Sequence, residues 1–339
     1  MANMNFSAAI DRAVMEAMAA DKRVIIMGED VHMLRSAHYT RFGQLRVFPT
    51  PISESSFVGA AVGAAMSGLR PIVEVMLVDF VGVAMDAVLN HMAKIETFSG
   101  GKWTCPLVVR TACGGGYGDG GQHEQTLWGM FAGIPGLTVV VPSNPADAYG
   151  LMKTAIAHDG PVIFLEHKLL SDSWLEFLGR LGRQTVAFDV PSAGAQADVP
   201  AKMDSLPLGQ ARVLRTGDTL TMVSLAVGLH RALEAADQLA DQGMECDVID
   251  LRCLQPLDIG TINASVRKTG KLLVVDEDYK SCGLSGELAA IVMESGLSPC
   301  YARVCLEQTI PYARHLEAEA LPNTGRIVDA ALRLAENTE

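Results

Sequence analysis

Short apolar runs alternate with segments of helical period along almost the whole chain, and that alternation leaves few folds open. Ile10, Val14 and Met18 repeat every fourth place in a helix over 7–20 that Ser7 can cap. The apolar run 24–27 reads as a buried strand ending at Gly28-Glu29-Asp30. Then come a helix over 57–68, a strand over 71–76, a helix from Asp79-Phe80 to about 97, and a strand over 106–111. An apolar helical stretch over 124–134, a strand over 137–141, a helix over 146–158 opened by Asn144-Pro145 and a strand over 161–165 complete the first run. The period fails over 168–207, where Pro191, Pro200 and Pro207 fall, and this segment reads as one that wraps rather than packs. Alternation resumes with strands at 219–225, 246–250, 271–276 and 301–306 and helices at 228–242, 258–267, 284–296 and 325–336. The expected class is α/β, with parallel sheets covered on both faces. The expected division is a domain at 1–185, a linker at 186–207 and a smaller domain at 208–339.

Composition narrows the function classes. Of 339 residues, 49% are hydrophobic and 19% charged, which fits a globular chain with enough core for two domains. A net charge of −12 argues against a nucleic-acid surface. No apolar run reaches the roughly 18 residues of a membrane span, and the first residues lack the basic start and long apolar stretch of a secretory leader. The seven cysteines form no Cys-x-x-Cys pair, so reduced thiols in a cytoplasmic setting are expected. Cys113 and His123 alone do not make a ligand set with zinc spacing.

Three places carry candidate chemistry. Glu54 precedes a helix that is otherwise almost wholly apolar, with Gly59 and Gly63 spaced for close packing. On residues alone, the favoured reading is a first-turn acid beside a Ser53 cap. The other reading is a carboxylate held in or beside a core. Glu29 lies at the C-terminal edge of a predicted strand, where open parallel sheets bind ligands; by itself it reads as a solvated loop acid. Residues 113–123 place six glycines within 114–121 after another strand, a loop that lets backbone approach a ligand closely. His123 ends that loop, and an imidazole there can accept or deliver a proton near neutral pH. His91, His158, His167 and His230 read as structural or surface residues.

The wording of these stretches resembles the beta subunit of the thiamine-diphosphate-dependent decarboxylating component of 2-oxo acid dehydrogenase complexes, the pyruvate, branched-chain and acetoin types related to transketolase. The matching signposts are MGED at 27–30, TPISE at 50–54, GAAVGAAMSGLRPIVEVM at 59–76, QHEQ at 122–125 and PGLTVVVPSNPADAYGLMKTAI at 135–156. Weaker matches run through LRCLQPLD at 251–258 to IPYARHLE at 310–317, so the resemblance covers nearly the whole chain.

The resemblance implies a pyrimidine-binding domain followed by a transketolase C-terminal-like domain. It gives Glu54 the role of the carboxylate on the cofactor's pyrimidine nitrogen, places Phe80 against that ring and puts Ile52 at the cofactor. His123 becomes a proton-transfer residue, and Glu29 an acid in the channel between the paired active sites. Gly118-Asp119-Gly120 with Asn144 imitates the pattern by which such enzymes hold magnesium and diphosphate. However, no apolar strand directly precedes Gly118, and Asn144 opens a helix. Magnesium and diphosphate are therefore expected on an alpha-subunit partner, in an alpha-two beta-two tetramer with a lipoyl-bearing acyltransferase core. Some members hold potassium on backbone carbonyls; the matching positions are Leu107, Ala155, Ile156, His158 and Gly160, of which His158 and Gly160 depart from the acidic and amide residues of that site. A pyruvate-type 2-oxo acid is the expected substrate, with Ser55 and Ser56 suggesting a small one. An acetoin dehydrogenase subunit, a split transketolase-like enzyme and a non-catalytic assembly subunit are the alternatives. In the second domain, Glu287, Glu307, Glu317 and Glu319 are candidate acidic contacts for the acyltransferase.

Overall fold

The computed structural model describes residues 1–171, 173–174 and 188–336. Its strands are β1 (Ala2–Asn5), β2 (Val24–Gly28), β3 (Val47–Pro49), β4 (Arg70–Leu77), β5 (Val108–Cys113), β6 (Thr138–Val140) and β7 (Val162–His167). They continue as β8 (Gln196–Val199), β9 (Arg212–Arg215), β10 (Leu220–Ser224), β11 (Cys246–Asp250), β12 (Cys253–Gln255), β13 (Lys271–Tyr279) and β14 (Cys300–Leu306). A seven-stranded sheet runs β12-β6-β7-β5-β4-β2-β3, and a five-stranded sheet runs β14-β13-β10-β11-β9. Both are parallel except at one edge, where β12 lies antiparallel to β6 and β9 antiparallel to β11. Every residue of β5 and β7 is buried, as expected of strands covered on both faces.

The strand–helix alternation follows the sequence in outline, but the helical stretch expected over 124–134 is confined to Trp128–Ala132, two short helices and β3 fall between 31 and 49 where none was expected, and other differences stand out. Ser7 is not the first cap; Asn5 holds that position before the helix Phe6–Ala20. The helix expected from Phe80 to about 97 is instead a series of short turns: Val78–Val81, a 3₁₀ turn at Gly82–Ala84, a wide π turn at Ala87–Met92, and Ile95–Phe98. Gly82 between two valines is a poor helix former, which accounts for the break there. The expected linker contains structure: Ser192–Ala195 is a helical turn, and β8 pairs antiparallel with β1, Val199 opposite Ala2. The boundary expected at 185 falls outside the described residues. Finally, β12, well inside the expected second domain, completes the first sheet.

The two sheets share a core. One continuous apolar cluster joins Val58, Val109 and Leu165 of the first unit to Val223, Ile249 and Leu272 of the second. Three consecutive acids at the end of β13 pin the seam. Asp276 accepts from Trp128 Nε1 at 2.9 Å, Glu277 from Gly115 N at 2.7 Å and Asp278 from Gly129 N at 2.8 Å. Arg252, just before β12, grips Asp147 with two nitrogens at 2.9 and 2.7 Å. A paired, fully hydrogen-bonded carboxylate is the form in which buried charge is tolerated.

Burial, with Asp278 beside it, pushes the Asp276 carboxyl up to about 7. An aspartate titrates near 4 when unfolded, so the folded chain binds this proton more tightly and stability falls as pH rises from about 4 to about 7. Asp276→Asn keeps an acceptor for Trp128 and removes the charge. Thermal midpoints at pH 5 and pH 8 should show the variant gaining on the native chain at the higher pH. Parallel pH dependence of the two proteins would rule this account out.

Candidate functional site

Glu54 begins the helix Glu54–Met66 and is only 8% exposed. Ser53 occupies the cap position but makes no side-chain capping bond; its hydroxyl donates to Ser56 Oγ at 3.0 Å. Among the described residues, Glu54's carboxylate has no hydrogen-bond donor, so it is not satisfied inside the chain. Glu29 stands close enough to feel it: burial first, then the negative charges of Glu54 and Asp30, holds the Glu29 carboxyl above the usual range. Gly28 lets the chain turn here, because a Cβ at its φ of +154° would lie 2.4 Å from the Glu74 carbonyl oxygen.

The Phe80 ring meets His123 edge-on, with centroids 5.6 Å apart and planes at 83°. Both side chains are half-buried. Behind them, Gln125 donates to Asp79 Oδ1 at 2.7 Å and accepts from Tyr279 OH at 2.9 Å, which ties this pair to β13. Burial raises the Asp79 carboxyl above its ordinary range. The structure thus brings Phe80 to His123 and Glu29 to Glu54, all around strand ends of the seven-stranded sheet. Ile52 is 78% exposed and lies on the outer surface of this chain.

The Gly-rich loop does something the sequence did not show. Its backbone is held by three carboxylates. Glu124 accepts from Tyr117 N at 2.7 Å and Gly120 N at 2.9 Å, Glu277 from Gly115 N, and Glu317 from Gly116 N at 2.8 Å and Gly118 N at 3.0 Å. The close approach that needs glycine is made by the chain itself: a Cβ on Gly114 would lie 2.0 Å from the His167 ring. Glu317 is therefore not an acidic docking contact; it is 2% exposed and committed to the loop. Glu307 is bonded to Lys280 at 2.7 Å, while Glu287 and Glu319 are exposed. The Gly-Asp-Gly imitation is likewise absorbed: Gly118 N and Gly120 N have carboxylate partners, and Asn144 caps the helix Pro145–Ala157, accepting from Asp147 N at 3.0 Å.

The carbonyls expected around potassium do not form an open ring. The Arg70 guanidinium donates to the carbonyls of Ile156 and His158 at 3.0 Å each and pairs with Asp159. The Leu107 carbonyl accepts from Val162 N at 2.8 Å. Together with Ala155 and Gly160, these residues as arranged do not fit the ion, because a fixed cation already serves this helix C-terminus.

Charges inside the strands were also missed. Arg110 pairs with Glu166 and Asp11 at 2.8 Å, and Arg35 with Glu74 at 2.7 Å. Glu29 lines a small cavity together with Arg35, Glu74, Arg110 and Glu166. The signal was present: Glu74 and Arg110 are charges in the middle of largely apolar strands, and they sit opposite one another in the β4–β5 register.

Residues 2–172 match the family described as transketolase, pyrimidine binding domain, and residues 209–327 match transketolase, C-terminal domain. The chain is 36% identical to acetoin:2,6-dichlorophenolindophenol oxidoreductase subunit beta of Bacillus subtilis, over 98% of this chain and 97% of that one. It is 38% identical to pyruvate dehydrogenase E1 component subunit beta of Rickettsia bellii, over 96% and 97%. It is 36% identical to 2-oxoisovalerate dehydrogenase subunit beta of Bacillus subtilis, over 99% and 100%. A solved structure described as a split gene transketolase, inactive beta4 tetramer, superposes with a TM-score of 0.80 at 19% identity, covering 99% of this chain and 100% of that one, and shows the shared fold.

Glu317→Ala would remove the acceptor of two half-buried loop N–H groups, those of Gly116 and Gly118, at a cost of about 1 kcal/mol each. Hydrogen exchange over 114–121 should quicken and the thermal midpoint should fall. Unchanged protection in that loop would show that Glu317 does not hold it.

Proposed function

This chain belongs to the family of beta subunits of thiamine-diphosphate-dependent 2-oxo acid dehydrogenases, and we propose that Glu54, Phe80 and His123 are its half of an active site completed by an alpha subunit. The observation that carries the reading is Glu54: a largely buried carboxylate at a helix start, with no donor among the described residues, at the same sheet whose strand ends carry the half-buried Phe80–His123 pair. That arrangement fits the pyrimidine half of the cofactor, whose ring nitrogen is a donor when protonated and whose flat face suits Phe80.

Thiamine diphosphate supplies, when bound, a nucleophilic carbon and an electron sink for decarboxylation of the 2-oxo acid. Glu54 holds the proton at the pyrimidine nitrogen in a pocket where water does not compete for it. Phe80 would fix the ring, and Ile52 would contribute apolar contact from the loop before Glu54. His123 would move a proton during acyl transfer to the lipoyl group, and Glu29, its carboxyl raised by burial and by Glu54, would be the acid of the channel between the paired active sites. Magnesium and diphosphate belong to the alpha subunit, since the Gly-rich loop's amides are already engaged.

The partner surface follows from the same helix. Gly59 and Gly63 face open space, where added Cβ atoms would meet nothing, and Ser55, Ser56 and Ala60 are exposed beside them. Exposed Ile52 and Val83 flank this face. An alpha-two beta-two tetramer would cover it with an obligate interface of well over about 2,000 Å². Residues 1–185 act as the pyrimidine-binding unit, with 186–207 as the linker, and 208–339 docks the acyltransferase core, with Glu287 and Glu319 as its remaining acidic contacts. The setting is cytoplasmic. A small 2-oxo acid such as pyruvate suits Ser55 and Ser56; relatives named for acetoin stand at similar identity, and a panel of 2-oxo acids and acetoin distinguishes them.

Glu54→Gln keeps volume and hydrogen-bonding capacity but supplies no carboxylate. In the assembled enzyme, turnover should fall by about 10² or more, the usual size of a positioned acid–base contribution, in both simple decarboxylation and lipoyl acylation. His123→Ala should slow transfer to lipoyl more than decarboxylation. Near-native decarboxylation by Glu54→Gln would return Glu54 to a helix-start acid.

A further inference from the structure

Lys168 follows β7 directly and is 0% exposed, a rare place for a lysine. Its ammonium donates to the His123 backbone carbonyl at 2.5 Å and sits 4.8 Å from the centroid of the Tyr117 ring. The Tyr117 hydroxyl returns a bond to the Lys168 carbonyl at 2.9 Å, so lysine and tyrosine clasp one another across the loop. Lys168 N donates to the Cys113 carbonyl at 2.9 Å, so this one residue holds the loop where it leaves β5 and again at His123, near its other end. Burial lowers the proton affinity of this ammonium, and the nearby acids Glu124, Asp119 and Asp79 oppose that shift.

We propose that Lys168 is a positioning residue for His123, setting the imidazole against the Phe80 edge by fixing the histidine's own backbone. A loop with six glycines between 114 and 121 has little side-chain packing to do this. The carboxylates Glu124, Glu277 and Glu317 bind amides at 115, 116, 117, 118 and 120, upstream of His123. The loop's last anchors are His123 N to the Gly120 carbonyl at 3.0 Å, Lys168 on the His123 carbonyl, and Gln125. Of these, only Lys168 brings a charge onto His123 itself, and a charge-assisted bond in a dry site is directional and costly to lose.

The inference rests on His123 acting in acyl transfer, and a double-mutant cycle separates the two claims. Lys168→Met, His123→Ala and the double variant are compared in the assembled alpha–beta enzyme by the rate of transfer to a lipoyl domain. Heterotetramer mass and thermal midpoint are recorded for each. Lys168→Met should slow transfer about tenfold or more in the native background and by less than about twofold once His123 is alanine. Lys168→Gln, shorter and still a donor, should fall between native and Lys168→Met, and it decides the matter if Lys168→Met fails to assemble. Equal slowing in both backgrounds would make Lys168 merely structural and overturn the proposal. Native transfer rates in either lysine variant would do the same. If His123→Ala itself transferred at the native rate, the role of His123 would fail, and positioning with it.

Discussion

The structure depends on how a loop almost without side chains is made rigid. Residues 114–121 offer a row of backbone N–H groups that must find acceptors away from water. Glu124 comes from the loop's own end, and Glu277 and Glu317 come from the second unit. Domain docking and loop geometry are therefore one event. Burial pushes the Glu124 carboxyl up to about 8, whereas His167 and the Gly115 amide draw Glu277 below its ordinary range against the same burial. The loop's amides thus meet one acid whose carboxyl is raised and one whose carboxyl is lowered.

The same economy places Glu29. Its neighbours Arg35, Glu74, Arg110 and Glu166 form a charged layer inside a parallel sheet, where each charge must be matched. Removing one partner there would strand another, so this layer fixes the β4–β5–β7 register as firmly as apolar packing does. Among the described residues, Glu29 and Glu54 pair with no guanidinium.

Much of this was legible in the chain. The helical period around Ile10, Val14 and Met18, the apolar strands, and Asn144-Pro145 as a helix start all follow from local physics. Glu54, Phe80 and His123 stood out by wording and place. What was not legible depended on contacts between residues distant in sequence. Nothing near Glu317 signals that it turns inward to bind Gly116 and Gly118. Nothing near Lys168 signals that Tyr117 and His123 close around it. Nothing near Arg70 signals that the carbonyls of Ile156 and His158 meet it. Charges in the middle of largely apolar strands, such as Glu74 and Arg110, were the one such signal that pattern alone could have raised. The break at 82–92 was hidden because π and 3₁₀ turns keep much the same apolar spacing as an α-helix.

The central claim is that this chain carries half of a cofactor site. Thiamine diphosphate binding, followed by calorimetry with magnesium present, tests it on the beta chain alone, the alpha chain alone and the two mixed. The account predicts saturable, stoichiometric binding in the mixture and no tight binding to the beta chain by itself. Tight stoichiometric binding to the isolated beta chain would contradict it.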